Sequence, residues 1–99
     1  MRRGTTPTHI FKTSIDLTEA EVIFITYRQG NENVLEKTRE DLIVTEEQIS
    51  VKLTQEETLL FSINDAVKIQ IRAKFADQSA IASNVITTKA DVILKEGVI

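Results

Sequence analysis

His9 is the only histidine in this 99-residue chain, and no residue at a usable spacing would make it a general base or a metal ligand. It is expected to be a surface or packing residue. The carboxylate pairs Glu46-Glu47 and Glu56-Glu57 are the next residues with acid–base chemistry in them. Adjacent side chains on a turn point apart, however, and carboxylates at a helix start are accounted for by its free amides and its dipole. Ser14, Ser50, Ser62, Ser79 and Ser83 have neither a histidine near them in sequence nor the glycines of a nucleophile elbow.

Metal and phosphate chemistry fare no better. There is no cysteine, so thiolate sites and disulfides are excluded, and no His/carboxylate cluster has the spacing of a zinc site. Asn31-Glu-Asn33 and Asn64-Asp65 come nearest to a calcium loop, and both are better read as turns. With glycine only at positions 4, 30 and 97, no phosphate-cradling loop exists. Arg28, Lys68, Arg72 and Lys74 could form a basic stripe on one sheet face. Interspersed acidic neighbours and a lack of exposed aromatics favour an ordinary solvated face. These residues predict a protein that is not an enzyme and carries no cofactor and no metal.

The elements that would hold any site are clearer. From Val67 to Phe75 every odd position is apolar (Val67, Ile69, Ile71, Ala73, Phe75) and every even one polar (Lys68, Gln70, Arg72, Lys74). Period two means a strand with one dry and one wet face, hence an antiparallel sheet packed on one side. Further strands are expected at 8–15, with Phe11, Thr13 and Ile15 on one face; at 21–29, central and covered on both faces; and at 34–40, charged and so suited to a sheet edge. Others follow at 42–44, 48–54 and 80–89. Gly30-Asn-Glu-Asn33 and Ala76-Asp-Gln-Ser79 are turn chemistry. Asp16-Leu-Thr-Glu19 and Thr54-Gln-Glu-Glu57 both read as capping boxes opening short helical turns.

Seven short strands at this spacing, with a helical turn before the penultimate one, predict an all-β fold: an immunoglobulin-like antiparallel β-sandwich, with a small open barrel as the competing architecture. The length suits one domain. Residues 8–99 form it, and residues 1–7 read as a flexible amino-terminal arm. A 41% apolar and 27% charged composition is that of a globular protein, and a net charge of −3 with scattered cations argues against a nucleic-acid partner. No apolar run reaches membrane-spanning length, so neither a membrane partner nor a signal peptide is expected.

Two segments remain. The arm and the apolar tail, 92–99, are hard to absorb together into so small a sandwich. Thr5, Thr6, Pro7 and His9 in the arm and Val92, Ile93, Leu94, Val98 and Ile99 in the tail are therefore candidates for docking on a neighbouring subunit, the alternative being that the tail extends the last strand or caps the core.

Met1-Arg-Arg-Gly-Thr-Thr-Pro-Thr-His9, Leu53-Thr-Gln-Glu-Glu-Thr-Leu59, Ile69-Gln-Ile-Arg72 and Leu94-Lys-Glu-Gly-Val-Ile99 resemble a group of small proteins encoded in phages and prophages of Gram-positive bacteria. The strand plan is also loosely similar to the amino-terminal sandwich domain of phage baseplate upper proteins. The resemblance implies a virion or assembly component of the tail or baseplate, oligomeric or bound to other phage structural proteins, present in the host cytoplasm during assembly and then in the virion. It brings no catalytic residue. The other readings are a module binding a host protein or a glycan through the loops Gly30–Asn33 and Ala76–Ser79, and a small regulator of a host enzyme.

Overall fold

The structure is a computed structural model describing residues 1–99, with the strands β1 (Thr8–Lys12), β2 (Val22–Gln29), β3 (Glu32–Thr38), β4 (Leu42–Val44), β5 (Gln48–Lys52), β6 (Ala66–Lys74), β7 (Ala80–Ala82) and β8 (Ile86–Lys89), and two short helical turns, a 3-10 turn at Arg39–Asp41 and α1 (Gln55–Thr58). They form two antiparallel sheets, ordered β1-β5-β4 and β3-β2-β6, with β7 and β8 both paired to the far side of β6. The all-β sandwich is as the alternation predicts. No helix is long and apolar enough to cross a membrane.

β7 and β8 are one strand interrupted by a bulge. Arg72 faces Ala82 but Ile69 faces Ile86, so the outer strand spends one extra residue over that stretch. Ser83 holds the irregularity: its N–H donates to the Ile71 carbonyl at 2.8 Å, and its hydroxyl accepts from the Ile71 N–H at 3.0 Å. Counting β7 and β8 together, the chain keeps the immunoglobulin division of strands between sheets except for β2. That strand lies between β3 and β6 instead of beside β1 and β5. The cause is local. Gln29 pairs with Glu32 across a two-residue turn opened by Gly30 at φ +58°, and so tight a hairpin keeps both strands in one sheet. Of the three crossings between sheets, the one from β5 to β6 happens at α1, where Thr54 and Glu57 cap each other as their spacing predicts.

Between the sheets lie Ile23, Ile25 and Tyr27 of β2, Ile49 and Val51 of β5, and Val67, Ile69, Ile71 and Ala73 of β6, with Leu53, Phe61 and Ala90 closing one end and Leu17 and Ala20 the other. β2 is central, as expected, but only one of its faces is covered: Phe24 and Arg28 are exposed on the other. The first strand stops at Lys12, short of the expected 15, and leaves Ile15 half exposed. Asp16 caps Thr18 in a single turn closed by Ala20 N–H to the Leu17 carbonyl, without a helical turn. The charged strand β3 does lie at a sheet edge. Its Lys37 points to the core side and pairs with Glu57 of α1. An inward charge of this kind discourages further strand pairing.

These facings predict unequal costs for one substitution type. Ile25→Ala removes fully buried methyl groups and should cost about 2–5 kcal/mol. Ile43→Ala, on a side chain 70% exposed, should stay within about 0.5 kcal/mol. Denaturant midpoints check both, and equal losses would show the facing to be wrong.

Candidate functional site

The chain ends are fastened to each other and to the body. Residues 1–7, expected as a flexible arm, run beside the start of the tail. Arg3 N–H donates to the Asp91 carbonyl at 3.2 Å, Asp91 N–H to the Met1 carbonyl at 2.7 Å, and the Arg2 guanidinium to the Val92 carbonyl at 2.6 Å. Arg3 Nη1 donates to both Glu96 carboxylate oxygens, at 2.8 and 3.0 Å, while its Nη2 donates to the Leu59 carbonyl at 3.3 Å, and together these hold the tail's course. Gly4, at φ +72°, makes this possible, since a Cβ there would sit 2.7 Å from Ile93 Cδ1.

The predicted docking residues divide accordingly. Thr5 accepts a hydrogen bond from buried Thr58 on its carbonyl at 3.0 Å, and Pro7 accepts one from Leu53 N–H at 3.0 Å, so both are tied to the body. Thr6 is exposed. Ile93 is half-buried against Gly4, and Val92 is half exposed. Ile99 exchanges two hydrogen bonds with the Gln55 side chain, yet its own side chain is 88% exposed. Leu94 is 99% exposed and Val98 lies open beside the Gly97 turn. The tail's backbone is thus absorbed while three of its apolar side chains are not.

His9 belongs elsewhere, in a polar chain at the core's margin. Its Nδ1 lies 2.7 Å from the Tyr27 hydroxyl, and Tyr27 stacks edge-on against Phe61. Burial, with the nearby Glu57 carboxylate, raises the Tyr27 phenol. Burial alone would raise Glu57, but hydrogen bonds from Lys37 and the Thr54 backbone, with the Lys37 charge, hold it below its usual range. His9 is lowered, by burial first and by the Met1 ammonium second. The group is sealed by its own partners, and the structure holds no cluster of three or more metal-ligating side chains. His9 shares strand parity with Phe11, which is the signal that would have placed it inward.

The sequence also conceals a groove. β1 is one edge of the smaller sheet and β7/β8 one edge of the larger, and the two flank an open apolar channel of about 660 Å³. Phe11, Ile15, Leu17, Ile71, Ile81 and Ile86 line it. The Thr13 hydroxyl, on the same wall, is buried without a hydrogen-bond partner. Its far wall arises from the Ser83 bulge, which no periodicity in residues 80–89 announces.

The titrations carry a sign. His9 binds its proton more weakly folded than unfolded, so its stabilising contribution is complete above about pH 6.5 and falls as pH drops through that value toward the folded pKa. Glu57 loses its contribution lower, as pH falls below 4.5. Unfolding free energies measured across this range should show both declines, and His9→Gln should abolish the upper one alone. No protein-family model, no curated protein and no solved structure matches this chain.

Proposed function

We propose that this protein is a non-enzymatic structural or assembly component of a phage or prophage particle, associated with the tail or baseplate. It acts through contacts with copies of itself and with larger structural proteins, first in the host cytoplasm and then in the virion. The observation that carries this reading is the tail: Leu94, Val98 and Ile99 stand in solvent on a backbone pinned by Arg3 and Gln55. Ordering that segment costs conformational entropy, and covering Leu94 and Ile99 with a partner would return about 1.5–3 kcal/mol for each. The open channel between β1 and β7 supports the same reading, because free strand edges beside apolar walls suit strand addition. The resemblance to phage-encoded proteins supplies the particle.

The test uses the double variant Leu94→Asp/Ile99→Asp. Sedimentation velocity should show concentration-dependent association for the natural chain and a monomer for the variant, with the same melting temperature. Mass spectrometry of purified particles should find the protein. A natural chain that stays monomeric and is missing from particles would overturn the reading.

A further inference from the structure

The outer face of the larger sheet segregates charge. Directly paired strand residues share a face, so the registers Arg28↔Lys68, Phe24↔Arg72, Val22↔Lys74 and Ala66↔Lys89 place Arg28, Lys68, Arg72, Lys74 and Lys89 together on the side away from the core. None of these five makes an ion pair. Glu36 is the one carboxylate among the strand residues turned to this face, in a chain whose formal charge is −3. No acidic residue lies between Asp65 and Asp77 in the sequence, and on the sheet Glu36 alone accompanies these cations.

The face is also shaped. A shallow depression of about 390 Å³ is lined by Arg28, Lys68, Arg72, Glu36, Gln70 and Asn33, among others. A second, of about 200 Å³, continues from Arg72 to Phe24. Phe24 is 38% exposed there, an aromatic platform on a face that the sequence suggested had none. Lys68 and Arg72, four residues apart on one strand, stand about 13 Å from each other.

We propose that this face binds an acidic saccharide chain, one whose sugars carry carboxylate or phosphate groups. Arg28, Lys68 and Arg72 meet the anionic groups, Arg as a fork and Lys as a point charge. Glu36, Gln70 and Asn33 exchange hydrogen bonds with hydroxyls, and Phe24 receives the apolar face of a ring. Glu36 decides against a DNA strand: its carboxylate accepts from a free sugar hydroxyl, a donor that a deoxyribose phosphodiester backbone does not offer. One aromatic side chain is also too few for successive bases. The face is separate from the exposed tail, so it can fail or succeed independently of self-association.

The measurement is calorimetric titration of the natural chain with oligogalacturonate, a phosphorylated oligosaccharide, neutral maltohexaose and oligothymidylate at low and moderate salt. One or both acidic saccharides should bind, which identifies the anionic group. The neutral sugar and the oligonucleotide should not. Lys68→Glu/Arg72→Glu should weaken binding about tenfold or more at unchanged melting temperature. Phe24→Ala should weaken it at constant charge, and Leu94→Asp should leave it unaltered. Oligothymidylate binding as tightly as the saccharides, undiminished binding by the charge-reversed variant, or no acidic saccharide binding at low salt would each overturn the proposal.

Discussion

The antiparallel register of β2 against β6 is the constraint from which the rest follows. Val22 opposite Lys74 through Arg28 opposite Lys68 sets Ile23, Ile25, Tyr27, Ile69, Ile71 and Ala73 on one side and every cation of the pair on the other. A slip of β6 by one residue would turn Lys68, Arg72 and Lys74 into the core and Ile69 and Ile71 into water. Desolvating those charges unpaired would cost far more than a domain this size has in reserve. The register is therefore held by both faces at once, and the same pairing that builds the core also concentrates positive charge outside it.

The second constraint is the turn at Gly30. Because β2 and β3 cannot part, the larger sheet takes the strand that an immunoglobulin arrangement would give to the smaller one. The smaller sheet is left with three strands, and its β1 edge ends beside an apolar wall with nothing paired to it. The channel is thus a consequence of strand bookkeeping between layers, and the isoleucines lining it are the part of the interior that the narrower sheet does not reach.

What the amino-acid order discloses tracks the range of the interactions involved. Strict alternation over Val67–Phe75, the Thr54–Glu57 cap and the charged edge of β3 are local, and each is present where residue types predict it. Phe24 and Arg28 misled because a strand rich in apolar residues resembles one covered twice, while only the pairing partners tell which face is bare. The fastening of residues 1–3 to 91–96 spans nearly the whole chain and leaves no local trace beyond Gly4. The basic stripe was visible as spacing. Its isolation from carboxylates depended on where β3 put Glu36, which spacing does not reveal. Phage assembly rests on resemblance and the exposed tail, and the geometry supplies only compatible surfaces.

Lys37 has a consequence for any joining of copies through their sheets. Its inward ammonium, locked to Glu57, closes the β3 margin to another backbone. The larger sheet therefore keeps one unguarded margin, the β7/β8 side, while the smaller sheet ends in β1 on that flank and in β4 on the other. A strand added to the wider layer has a single place to lie, next to Ile81 and Ile86.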